Sequence, residues 1–157
     1  MRLDPNTFGV DQPCFGCAPT HPIGFHLEFE KEGELVRTRF IPGEQHQGPP
    51  GVLHGGLVTT LADELAAWTI VAQKQQLGFT AAIDARFLRP VYVGREVLGT
   101  GRILEDSQRV VKVEVVLEQG GASTYRGTFT FAVLDQRGAE RILGSPLPEA
   151  WAKFCRS

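Results

Sequence analysis

GVLHGGLVTTLADELAAW, from Gly51 to Trp68, decides how this chain folds. From His54 onward the pattern is helical for roughly twenty residues, with polar stop signals at Gln75–Gly78. Leu57, Val58, Leu61, Ala62, Leu65, Ala66, Ala67, Trp68, Ile70 and Val71 make the helix apolar on nearly every side. A helix without a polar face has to be surrounded by protein. Asp63 and Glu64 interrupt the longest apolar stretch of the chain, so it reads as a buried helix rather than a membrane span.

The flanking sequence supplies the surroundings. Upstream, Phe25–Glu30 alternates strictly, and Leu35–Ile41 sets Val36, Thr38 and Phe40 against Arg37 and Arg39. Gly33-Glu34 supplies the turn of a hairpin. Downstream, four more strand patterns follow at Thr80–Leu88, Glu96–Glu105, Val110–Glu118 and Ser123–Leu134, each separated by turn residues. A short final helix is expected over Pro146–Phe154, with Ser145 as its cap. The order is β-β-α-β-β-β-β, an α+β chain. Alternating strands give the sheet one wet and one dry face. Only the apolar helix is large enough to cover the dry face, so an antiparallel sheet wrapped around a central helix is expected. Residues 1–22, rich in Pro and Gly, read as an N-terminal lead-in, and residues 23–157 as a single domain.

Composition narrows the function classes. The 157 residues are 42% hydrophobic and 22% charged, which suits a globular domain with one sizeable core. The net charge of -2 comes from interleaved acids and bases, with no basic run, so no nucleic-acid partner is expected. MRLDPNTFGV lacks the apolar core of a signal peptide, and the three cysteines do not suggest a disulfide framework. A cytoplasmic location and no membrane partner are the expectations.

Chemistry concentrates at the helix. Gly55 and Gly56 weaken its start, each by up to ~1 kcal/mol relative to Ala. Glycine there lets a ligand approach free N–H groups that carry a partial positive charge, and a carbonyl oxygen would find an oxyanion hole. The plainer reading is that the glycines only permit close packing. Asp63 and Glu64 must be paired, desolvated or functional. They lie about 100° apart on the helix, Asp63 on the side of Gly56, Thr60 and Ala67, and Glu64 on the stripe of Leu57 and Leu61. Periodicity does not choose between them, and an arginine from a flanking strand would satisfy either. Cys14, Cys17, His21 and His26 have spacings that zinc could use. There is no second cysteine pair, however, and two of the four sit where a strand begins, so no metal and no cofactor are expected.

The stretch EQHQGPPGVLHGGLVTTLADELAAW, Glu44–Trp68, resembles hotdog-fold thioesterases of the PaaI-like, phenylacetate-pathway type. CFGC followed by HPIGFHLEF, and ARFLRPVYVG at Ala85–Gly94, extend the resemblance over roughly Cys14–Leu134. It implies hydrolysis of acyl-CoA, and the unpaired edge strands of a single curled sheet predict a homodimer joined edge to edge, or a homotetramer. It also implies Asp63 as nucleophile or general base, and Gly56, with Gly55 as a second candidate, as main-chain donor to the thioester oxygen. His54 would orient the thioester or hold the loop, and Thr80 would bring a hydroxyl from the neighbouring subunit. Some family members carry an Asn or Gln six or seven residues before the motif histidine. Gly48 and Gln47 stand there, which makes Gln47 a candidate, with His46 beside it. Trp68, Phe79 and Phe87 are candidates for the acyl pocket, and Arg86, Arg89 and Arg126 for the CoA phosphates. A β-hydroxyacyl thioester dehydratase using His54 with Asp63, and a non-catalytic acyl-CoA binder, are the competing functions.

Overall fold

A computed structural model describes residues 1–157. Its elements are β1 (Phe29–Glu32), β2 (Leu35–Phe40), α1 (Gly55–Lys74), β3 (Gly78–Phe87), β4 (Val97–Asp106), β5 (Val110–Gln119), β6 (Ala122–Val133), α2 (Gln136–Leu143) and α3 (Glu149–Ala152). All six strands form one antiparallel sheet in the order β1-β2-β4-β5-β6-β3. The strand after the helix therefore crosses the molecule and becomes an edge. This is the hotdog arrangement.

Alternation sorts the two faces as expected. Val111, Val113, Val115 and Leu117 of β5, with Tyr125, Phe129, Phe131 and Val133 of β6, point inward and are fully buried. On the outer face Glu114 holds Arg102 at 3.1 Å and Arg126 at 3.6 Å. The inner face closes on Val58, Leu61, Ala62, Leu65, Ala66 and Ile70 of α1. Glycine lets the helix sit close: a Cβ at Gly99 would stand 2.8 Å from Leu65 Cδ2, and one at Gly101 2.3 Å from Thr69 Oγ1.

Several expectations change. The first strand, expected at Phe25–Glu30, runs over Phe29–Glu32. His26 takes a left-handed φ of 53°, and the amides of Phe25 and Leu27 bond instead to Phe15 and Gly16 of the lead-in. Helix α1 stops at Lys74, with Gln75 in the left-handed region at φ 54°, whereas Gly78 opens β3. The expected helix at Pro146–Phe154 shrinks to Glu149–Ala152, and Pro148 rather than Ser145 precedes it. Helix α2 was not anticipated. The Asp135 side chain caps it by accepting from the Gly138 amide, and Gly144 ends it at φ 71°.

The lead-in joins the core. Phe8 stacks on Trp151 at 4.2 Å and meets Trp68 edge-on at 5.7 Å. Leu3 donates to Phe29 and Lys31 to Met1, so residues 1–3 lie along β1 and cover that edge of the sheet. The far side of β3 has no strand beside it.

Candidate active site

The two glycines open α1 as expected, but their amides differ. His54 is the N-cap, and its Nδ1 accepts from the Gly56 amide at 3.0 Å. That donor, expected to face the substrate, is occupied. The Gly55 amide makes no hydrogen bond within the chain and is exposed. It is the free donor at a helix terminus where the dipole favours negative charge. Beside it an open cavity of about 380 Å³ is lined by Pro49, Val52, Leu53, Phe87, Arg89 and Val91, among others.

The two acids part company completely. Glu64 points under the lead-in, where Cys14 Sγ donates to its Oε1 at 3.2 Å. Burial, with the nearby Cys14 charge adding to it, pushes the Glu64 carboxyl up to about 8. Asp63 faces β3 and accepts a 2.6 Å bond from the Thr80 hydroxyl. Burial raises its carboxyl above the usual range, while the Thr80 bond favours the charged form and works against that. Neither acid meets an arginine or lysine. Thr80 was expected to come from a neighbouring subunit. It meets Asp63 of its own chain because β3 runs beside α1, with Phe87 near Gly55 at one end and Thr80 near Asp63 at the other.

Tyr125 is an inward residue that the strand pattern alone did not single out. Its ring packs edge-on against Phe87 at 5.1 Å, and its buried hydroxyl has no hydrogen-bond partner. Burial raises its pKa, the neighbouring Thr59 side chain works against that, and the Asp63 charge adds to the rise. A tyrosine at an inner-face position otherwise held by Phe and Val was the available signal.

Other expected positions lie elsewhere. Gln47 braces the loop, donating to Glu44 O at 2.9 Å and accepting from the Gly51 amide at 2.6 Å. His46 is buried against Phe25 and accepts from the Gly43 amide at 3.0 Å. Trp68 is a core residue, stacked on Phe29 at 5.0 Å, not part of a pocket. Arg86 and Arg126 oppose each other on the outer face, where Asp84 and Glu114 hold them. Arg89 does reach the cavity, with its guanidinium on Ser123 O at 2.7 Å. His54 and Asp63 stand nine residues apart on one helix, roughly 13 Å along its axis. The His–acid pair of a dehydratase is therefore not assembled within one chain. His21 and His26 bond to backbone, away from Cys14 and Cys17.

Comparison with known proteins bears on the fold and the family. Residues 50–124 match the family described as the thioesterase superfamily. Mouse (Mus musculus) acyl-coenzyme A thioesterase 13 is 28% identical over 75 residues, 47% of this chain and 54% of that protein. The chain thus spans about half the length of that curated relative. A Streptococcus mutans protein solved bound to acetyl CoA shares the fold at 19% identity, with a TM-score of 0.63 over 68% of this chain and 86% of that one. A thioesterase superfamily protein from Shewanella loihica is 31% identical, with a TM-score of 0.60 over 68% of this chain and 89% of that one. With that identity over nearly all of the Shewanella protein, and the HGG helix inside the matched segment, this chain belongs to the thioesterase superfamily.

Proposed function

We propose that the protein is an acyl-CoA thioesterase of the PaaI-like type, hydrolysing the thioester to a carboxylic acid and CoA. One observation carries the reading: Asp63, on a largely apolar helix, has no cationic partner and is oriented by a single hydroxyl, that of Thr80. A carboxylate held so has no structural employment, while a general base or nucleophile needs this placement. As base, it takes a proton from water while the water oxygen bonds to the thioester carbon. The carbon–sulfur bond then breaks, and the sulfur leaves as CoA thiolate and takes up a proton. The developing oxyanion needs a main-chain donor, and the free Gly55 amide is the one available.

The geometry also calls for a second copy. Gly55 and Asp63 are eight residues apart on α1, about 12 Å along its axis, so one carbonyl cannot meet both within a chain. A homodimer or homotetramer joined through β3 would set the Gly55 of one protomer near the Asp63 of its partner. Support for acyl-CoA as substrate comes from the mouse relative and from the acetyl CoA bound by the Streptococcus protein. Three free thiols suit a cytoplasmic setting, and no helix is long and apolar enough to cross a membrane. The test is thiol release from a panel of acyl-CoAs of graded chain length. Turnover on at least one member is expected. Saturable acyl-CoA binding without turnover would replace the enzyme with a binding protein.

A further inference from the structure

Glu64, which the proposed chemistry does not use, is covered by the turn that carries Cys14 and Cys17. The two cysteines occupy one turn, closed by the Ala18 amide on Cys14 O at 3.1 Å. Their sulfur atoms and a Glu64 carboxylate oxygen all lie within 4.8 Å of one another. The donors of a tetrahedral zinc ion stand roughly 3.3–3.8 Å apart, given bonds of about 2.0–2.3 Å, so only a small contraction would close the set. We propose that Cys14, Cys17 and Glu64 bind a zinc ion that clamps the lead-in onto α1.

Three features of the surroundings support this beyond the donor set. First, Glu64 lies beside Cys17, which is only 2% exposed, and has no lysine or arginine partner, so once ionised its carboxylate is left to be matched by a bound cation. Second, of the two residues between the cysteines, Phe15 and Gly16, the latter leaves the space that the Glu64 side chain fills. A Cβ at Gly16 would stand 2.6 Å from Glu64 Cδ and Cγ, so any larger residue would push the carboxylate away. Third, the ligands are themselves held. Buried Gln12 donates to Cys17 Sγ at 3.5 Å and accepts from the Cys14 amide at 3.1 Å, while the Gly16 carbonyl takes the Leu27 amide at 2.9 Å. Such outer partners fix the geometry of metal sites. Two thiolates favour a borderline-soft cation over calcium or magnesium. Three protein ligands leave the fourth position to water, and the cysteine and glutamate donors differ from the Cys–His set that the spacing alone offered.

Cobalt titration of the reduced, chelator-stripped full-length protein tests the site. One equivalent per chain should produce thiolate-to-cobalt charge-transfer absorption, and zinc should abolish it by displacement. Cys14→Ser and Cys17→Ser should each lose the band, whereas Cys155→Ser should keep it. Gln12→Ala retains every ligand and should weaken the metal by about 10- to 100-fold. Absence of the band in wild-type protein whose thiols titrate as free would overturn the site, whatever the variants do. So would a band that survives in folded Cys14→Ser. Thioester hydrolysis is measured separately, so loss of one reading leaves the other standing.

Discussion

At the scale of single residues, Asp63 and Glu64 are adjacent in sequence but opposite in circumstance. The helical period fixes their angular separation and says nothing about what lies over each side. That depends on residues 50 positions away in one case, Cys14, and 17 in the other, Thr80. Asp63→Asn keeps the shape and removes the charge, and should lower kcat by about 10²–10⁴ with KM little changed. Glu64→Gln should cost far less turnover, because its carboxyl faces the lead-in. Steady-state kinetics on both, with melting temperatures to confirm folding, decides the matter; the reverse ranking would move the catalytic role by one residue. The same dependence on distant neighbours explains Trp68 and Gln47. An aromatic in an apolar helix fits a pocket or a core equally well until Phe8 and Phe29 are seen to enclose it. The Gln47 amide has the reach of a ligand arm until the Gly51 amide claims it.

At the scale of elements, local pattern was most informative where the period ran long. Strands β2 to β6 and α1 fall within about two residues of their expected bounds, because alternation and helical spacing persist over several turns or pleats. Short segments under tertiary control were illegible. Strand β1 moved because backbone bonds to the lead-in took Phe25 and Leu27, and the eight-residue α2 carries too few repeats to show a period. The seat of α1 on β4 was also hidden, since nothing local marks Gly101 as the point where Thr69 approaches. Gly101→Ala should therefore destabilise the protein by about 1–3 kcal/mol through overpacking, read as a lower denaturant midpoint with an unchanged slope. At the other end of α1, Lys74 is ion-paired to Asp106 and holds the helix terminus to the end of β4. The Lys74 bond, helped by the Gln108 amide, holds the Asp106 carboxyl below its usual value. A depressed folded-state pKa contributes stability above the unfolded value of about 3.9 and loses it as pH falls further. The melting-temperature gap between wild type and Asp106→Asn should accordingly shrink as pH drops below about 4. A gap that is constant across pH would remove the ion pair from the account.

At the scale of the whole molecule, the unfinished feature is the free side of β3. Residues 1–3 cover the β1 edge, but β3 presents a ten-residue edge with Ile83 43% and Phe87 58% exposed, and Leu88 just past its end is 49% exposed. Long apolar edges invite pairing, and proteins that leave them open aggregate. On the inner face Ile83 and Phe87 extend the dry surface past the cover of α1, opposite buried Phe129 and Tyr125. A second copy across β3 would cover them and deliver its Gly55 amide toward Asp63. This arrangement has a quantitative signature. Gly55→Pro removes the free amide at the first helical position, where proline is tolerated, and His54 already has the extended backbone that precedes proline. Gly55→Pro and Asp63→Asn should each be nearly inactive alone. Refolded together in equal amounts, half of the dimers are mixed, and each mixed dimer has one intact site out of two. Activity should return to about a quarter of wild type. If the site were complete within one chain, the mixture would stay as dead as its components, and light scattering that finds a monomer at micromolar concentration would defeat the shared site outright.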